Sequence, residues 1–290
     1  MKTTLLIAAD SIRALLHQRL LLGLMLIALA MIAVFSAVLI AQRKVMTHAI
    51  IDESAADAPA GGNAAGNPDA GGAKVRSPAG EQRLSKEQRQ KLAEGMDQMS
   101  SMFQAAFYQV ASFGGSLVAL FIFSTAVAAE IRKGTIRITL TKPVSRTQYL
   151  LGKYLGGMAV MAGYALIASA AIVLFARFGR FELSPAMRYA PWLMFCRQLM
   201  LGSLAMLLSL FVHPFIASVL AFFAGNGLYS PGNPLFYILP SYKAFNLFGE
   251  MLQGALMNGK DVVLLSLYAV DFVILMLLFA LWRFRAKELV

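Results

Sequence analysis

E-I-R-K-G-T-I-R-I-T-L-T-K-P-V-S-R-T-Q-Y-L-L-G-K, residues 130–153, is the only strongly basic short stretch wedged between two long apolar runs. Residues 105–129 precede it and 154–176 follow it. Each run is long enough to cross a bilayer as a helix, which takes about 20 residues, so the stretch between them is a loop at one membrane face. Arg132, Lys133, Arg137, Lys142, Arg146 and Lys153 put that loop in the cytoplasm by the positive-inside rule. Its punctuation is readable. Gly134 ends or bends the first run, and Lys142 is pushed out of the helical region by Pro143. Ser145-Arg-Thr-Gln148 fits a capping box, in which a Ser and a Gln satisfy each other's free backbone N–H groups and start the next helix. Between the breaks, Ile136, Ile138 and Leu140 alternate with polar residues, which reads as a strand by period. A short interfacial helix is equally open, because a lone strand at a membrane surface has no partner for its backbone.

These residues resemble a known pattern. Glu130 closing a span, the basic-Gly-Thr segment through Gly134 and Thr135, Pro143-Val-Ser-Arg146, and the Leu-Gly-Lys153 opening the next span are similar to the type 2 ABC permeases. Those are the membrane subunits of ATP-binding-cassette exporters, and some members serve copper-enzyme maturation. The likeness extends to an interfacial N-terminal helix, the number and spacing of apolar runs, Leu239-Pro and Phe245-Asn, and a basic C-terminal end. It implies an all-α membrane protein: a bundle of about six transmembrane helices with an N-terminal elbow helix and a cytoplasmic coupling helix over 135–141. It implies a separate ABC ATPase subunit as partner, which binds ATP and Mg, and a second permease copy or a paralogue. It implies the bacterial cytoplasmic (inner) membrane with both termini cytoplasmic. The residues it places at the ATPase interface are Arg13, Glu130, Arg132, Lys133, Gly134, Thr135, Arg137, Pro143 and Arg146. Glu130 would anchor the loop, by capping it, by pairing with Arg132 or Lys133, or by touching the ATPase.

Composition agrees with the membrane reading. The 290 residues are 58% hydrophobic and only 14% charged, against about 25% charged in soluble domains. The net charge of +11 sits mostly at the ends of apolar runs, so it reads as topology and contact with anionic lipid, not nucleic acid. The single cysteine, Cys196, excludes an intramolecular disulfide and a cysteine-based zinc site.

In chain order, residues 1–18 read as an interfacial helix. Leu5, Ala9, Ile12 and Leu16 form one face and Asp10, Arg13 and His17 another. Residues 19–41 form a first span, too long for the apolar core of a signal peptide. Residues 42–104 form an extracytoplasmic loop. Its middle, 55–80, is rich in Ala, Gly, Pro, Asn and Asp and cannot bury a core. A helix is expected from about Lys86 into the second span, 105–129, with Leu92, Met96, Met99 and Phe103 on one stripe. The coupling segment covers 130–148, the third span 149–176, the fourth 192–212 and the fifth 214–228. An outer re-entrant segment covers 229–260, the sixth span 261–282 and a basic cytoplasmic tail 283–290. Arg177, Arg180 and Arg188 lie in an outer loop against the charge rule, outweighed by the basic loop and by Arg283, Arg285 and Lys287.

Gly66 and Gly71 hint at a phosphate loop, but Gly72-Ala73 stands where Lys-Ser/Thr is required, so the chain has no Walker A motif and is not itself an ATPase. Met96, Met99 and Met102 could offer soft sulfur to Cu(I), but an adaptable apolar face is the plainer reading. Gly152-x-x-x-Gly156 permits close helix approach. Arg197 and Asp271 are the intramembrane charges, and a carboxylate at mid-bilayer costs roughly 2.5–3.5 kcal/mol on the insertion scale. Asp271 is therefore expected away from lipid, lining a path, carrying a proton, neutral, or paired with Arg197 or His213. No H-E-x-x-H or G-x-S-x-G supports an intramembrane enzyme. Export driven by a partner ATPase is the leading expectation. The alternative is a membrane scaffold that passes ATPase motion to a periplasmic partner without transport.

Overall fold

A computed structural model describes residues 2–17, 23, 30, 86–132, 145–179, 183–226, 241–249 and 257–286. Most of the first span, the linker 42–85, the coupling segment 133–144 and much of the re-entrant segment lie outside the described residues, as do Lys287 and Arg180. Among the described residues the protein is all helical, with six α-helices. These are α1 (Lys2–His17), α2 (Lys86–Arg132), α3 (Arg146–Gly179), α4 (Ala190–Ser209), α5 (Pro214–Asn226) and α6 (Gly259–Ala286). Short 3-10 turns at Pro185–Arg188 and Tyr242–Phe245 complete it.

Among the described residues four stretches are long and apolar enough to cross a membrane: Ser100–Arg132 in α2, Arg146–Leu174 in α3, α4, and α6. In hydrocarbon every backbone polar group must be satisfied within the segment, which leaves these runs no alternative to helix. α5 is apolar but shorter. α2 is unbroken from Lys86, so roughly 20 Å of helix precedes its apolar part.

The helix ends follow local chemistry. The Ser145 hydroxyl accepts from Gln148 N–H and the Gln148 amide oxygen accepts from Ser145 N–H, both at 3.2 Å, so the expected capping box starts α3. His213 Nδ1 accepts from Phe215 N–H at 3.3 Å, and Pro214 opens α5 where a missing N–H costs nothing. Serines and threonines inside the spans donate to carbonyls one turn back, as Thr125 does to Phe121 O at 2.7 Å.

Among the four described spans α4 is the most buried, at 72%, with α2, α3, α5 and α6 around it, and α6 the least, at 17%. Glycines set the closest contacts. A Cβ on Gly157 would fall 2.7 Å from Phe123 Cε1, and one on Gly202 would overlap the same ring, so Phe123 is wedged between α3 and α4. Tyr154 packs on that ring at 5.0 Å and its hydroxyl donates to Leu199 O at 3.2 Å. Cys196 is buried in this core.

α1 meets α3 by a stripe other than its apolar face. It lies on α3 through Thr4, Ile7, Ala8 and Ser11, a stripe the apolar pattern did not single out. Leu5 and Ala9 of the expected apolar face are turned outward. The receiving surface is Gly152 and Gly156, one turn apart on α3: a Cβ there would come 2.7 Å from Ile7 Cγ2 and 2.8 Å from Ser11 Cβ. The glycine pair thus seats α1.

Candidate functional site at the basic end of the bundle

The end of α2, the start of α3, the α4–α5 turn and the end of α6 meet at one end of the bundle. Glu130 lies in the last turn of α2 and accepts from both the Tyr149 hydroxyl and Lys153 Nζ. Tyr149 and Lys153 stand four apart on α3, which puts them on one face. Lys153 is 13% exposed and Glu130 28%, so the pair is largely removed from water. Lys153 reaches Glu130 because α3 returns antiparallel beside α2 and presents that face to it; Lys133, one of the cations the sequence offered Glu130, lies outside the described residues.

Arg146, at the head of α3, donates to Phe284 O at 3.3 Å and Arg285 O at 3.0 Å. These are carbonyls left over at the C-terminus of α6, where a cation also opposes the helix dipole. Arg285 Nη2 returns a bond to Thr147 Oγ1 at 2.9 Å, and Tyr149 stacks on Phe284 at 6.1 Å. Arg132 Nη1 meets His213 Nε2, tying the end of α2 to the α4–α5 turn. Arg283 lies 5.0 Å over the Phe211 ring of the same turn. Arg13 is exposed on α1, on the side of that helix away from Gly152 and Gly156.

Of the residues the sequence grouped at the ATPase interface, the structure brings Glu130, Arg132 and Arg146 to one end of the bundle, where all three make contacts within the chain. Lys133, Gly134, Thr135, Arg137 and Pro143 lie outside the described residues. Sequence reasoning missed Tyr149 and the pairing role of Lys153; a Tyr and a Lys four apart, opposite a span-closing Glu, were the available signal.

The far half of the bundle holds a second polar group. Arg197 is buried and donates to Ser112 Oγ at 2.9 Å. Tyr108 donates to Phe245 O at 2.8 Å, and Gln104 Oε1 accepts from Ser184 N–H at 2.8 Å. Gln104, Tyr108, Ser112 and Gly115 recur every three or four residues, one seam along α2. Gln198 is fully buried against Gly115, and neither amide atom finds a partner among the described residues, nor does the Tyr242 hydroxyl. Asp271 does not join this group. It is exposed on the outer side of α6 with no described partner, so neither Arg197 nor His213 pairs with it. The turn of α6 that buries Phe272 and Met276 carries Asp271 to the opposite side.

Comparison with known proteins fits this architecture. A family model described as ABC-2 family transporter protein matches residues 5–224, from α1 through most of α5. A relative from Stutzerimonas stutzeri, "Probable ABC transporter permease protein NosY", is 36% identical over 94 residues, 28% of this chain and 34% of the relative. The chain thus spans about a third of the length of that relative. With the family model covering well over half of the residues and four apolar helices of spanning length among the described residues, this is a multi-pass membrane protein, and the chain belongs to the ABC-2 family of transporter proteins.

Proposed function

We propose that the protein couples ATP hydrolysis by a separate ABC ATPase to movement of a substrate across the bacterial inner membrane. About six spans form the bundle, with both termini cytoplasmic, and a second copy or paralogue completes the membrane unit. ATP and Mg belong to the partner ATPase. The observation that carries this reading is the frame around the segment 133–144. Glu130 with Tyr149 and Lys153 fixes one side of it, and Arg146 on the end of α6 fixes the other. α1 is seated on the same α3 through Gly152 and Gly156. A protein pressing on that segment presses on α2, α3 and α6 together. A mechanical switch requires an element that both ends can bias, and this end supplies the attachment. In this reading Arg13, Arg132, Lys133, Gly134, Thr135, Arg137 and Pro143 face the ATPase, while Glu130 and Arg146 hold the frame.

The test is co-purification of the tagged protein with ATPase subunits from its own cell, beside an Arg132→Glu/Arg137→Glu control. Recovery of an ATPase with the native chain and its loss in the control is the expected result. No ATPase in either sample overturns the coupling. The scaffold alternative is favoured by one feature, the roughly 20 Å of α2 that precedes its apolar part. Substrate movement in vesicles separates the two readings.

A further inference from the structure

The turn between α4 and α5, residues 211–213, gathers hydrogen-bond donors. Arg132 reaches it from the end of α2, with Nη1 on His213 Nε2. Phe215 N–H points at the same ring, at Nδ1. A neutral imidazole has one acceptor nitrogen and a protonated one has none, so at least one of these two donors goes without an acceptor. Arg283 reaches the turn from α6. Its guanidinium lies 5.0 Å over the Phe211 ring and makes no hydrogen bond or ion pair among the described residues.

The chain offers these donors little. Glu130, two residues before Arg132, is held by Tyr149 and Lys153. Asp97 and Asp261 belong to the opposite ends of α2 and α6, and Asp10 to α1, which packs on α3. Residues 19–41 and 133–144 contain no Asp or Glu, and 133–144 adds Lys133, Arg137 and Lys142. The surroundings are apolar: Phe211, Phe215 and Ile216 are exposed beside the turn. Trp282, next to Arg283, is also exposed, and Trp collects at the depth of the lipid headgroups.

We propose that Arg132, His213 and Arg283 bind the phosphate of an anionic membrane lipid at this turn. A phosphate supplies several acceptor oxygens at once, and Arg–phosphate bonds are among the strong charge-assisted ones. The lipid chains lie on Phe215 and Ile216. A soluble phosphate takes the same donors but leaves those apolar side chains uncovered. The site rests on the bundle crossing the membrane and not on how an ATPase is coupled. Arg132 is shared with the coupling reading, so the test turns on His213 and Arg283.

The experiment reconstitutes the full chain as Trp192→Phe, so that Trp282 is its sole tryptophan and reports on the basic end. The vesicles are phosphatidylcholine and phosphatidylglycerol, with brominated chains on one or the other to quench a tryptophan they touch. Phosphatidylglycerol should be preferred beside Trp282 by about fivefold or more. The preference should vanish in His213→Gln/Arg283→Gln. Arg285→Gln removes the same charge from the same end of α6 but leaves the turn intact, and should keep it. An equal fall in Arg285→Gln reduces the effect to diffuse surface charge and overturns the inference. So do no preference at all, and a preference unchanged in the double variant. Displacement of the lipid by millimolar inorganic phosphate also overturns it, because the ligand is then a soluble anion. A preference that rises in Glu288→Gln does so too, because the tail is then the occupant. The Cys196 labelling midpoint checks that each variant folds, and Arg283→Gln alone decides the case if the double variant does not.

Discussion

Replacing Glu130 by Gln tests whether the joint between α2 and α3 rests on the charge of this residue. The substitution keeps the shape and leaves an acceptor for the Tyr149 hydroxyl. What disappears is the anion opposite Lys153, whose side chain is 13% exposed. An exposed pair contributes about 0–1 kcal/mol, while breaking a buried one costs about 3–5 kcal/mol. With Glu130 at 28% exposure the loss falls between, about 1–3 kcal/mol. In a chain of this size that is a fall of roughly 3–10 °C in the unfolding midpoint. The chain carries its own reporter: Cys196 is its single cysteine and is buried, so a thiol-reactive fluorophore labels it only as the bundle opens. Lys153→Met removes the other partner and keeps the apolar stem. Each single change should lower the midpoint, and the double change should cost less than their sum by about 1–2 kcal/mol. Strict additivity, or a midpoint unmoved by Glu130→Gln, would refute the reasoning, because the two groups would then not depend on each other.

Two further outcomes follow from the packing. Gly156→Val places carbon where Ser11 Cβ is 2.8 Å and Ala8 O 3.1 Å away, so α1 must shift; an overpacking cost of about 1–3 kcal/mol should appear as faster protease cutting of α1 in vesicles, while Gly163→Val, which meets nothing within 4 Å, leaves cutting unchanged. Gln198→Leu removes two buried polar atoms that have no described partner, at similar volume, and should raise the Cys196 labelling midpoint in proportion to about 1–3 kcal/mol; a lowered midpoint would show that the amide is hydrogen-bonded in the membrane.

What was legible in the sequence was what local chemistry decides. Ser145 and Gln148 are three residues apart, and that spacing alone specifies the reciprocal bonds that open α3. Apolar runs longer than 20 residues specify helix because lipid offers the backbone nothing else. Pro214 marks the start of α5 for the same kind of reason. The partners of long side chains were not legible. Local sequence offers Glu130 only Arg132 and Lys133, and Lys153, 23 residues on, is brought to it by the antiparallel return of α3. The stripe of α1 that meets α3 was not legible because it depends on two glycines far along the chain, Gly152 and Gly156, which receive Ile7 and Ser11. Asp271 was expected inward because burial in protein is the usual remedy for a membrane carboxylate. The rotation of α6 is set instead by Phe272, Met276 and Ala280 packing inward, and that fixes where Asp271 must point.

The same contacts bear on how motion would travel if an ATPase acts on the segment 133–144. Its two flanks are not equivalent. The α2 flank is held by Glu130 to α3 and by Arg132 to His213, beside the start of α5. The α3 flank is held by Arg146 and Thr147 to the end of α6. A push along α3 therefore carries α1 and α6 with it, whereas a push along α2 reaches α5 through His213 as well as α3 through Glu130. Between them stands α4, touched by both, with Phe123 of α2 lodged between Gly157 of α3 and Gly202 of α4. A close-packed ring between two glycines resists sliding of α2 past α3, because any shift drives the ring into backbone. Phe123 stands some 10 Å above Glu130 along α2, so tilting about the ring is the motion that would keep it seated. That position makes Phe123 the natural pivot of the basic end: shrinking it to Leu should loosen the coupling between the flanks while leaving the Glu130–Lys153 pair intact, whereas loss of that pair in the same variant would show that the ring serves packing alone.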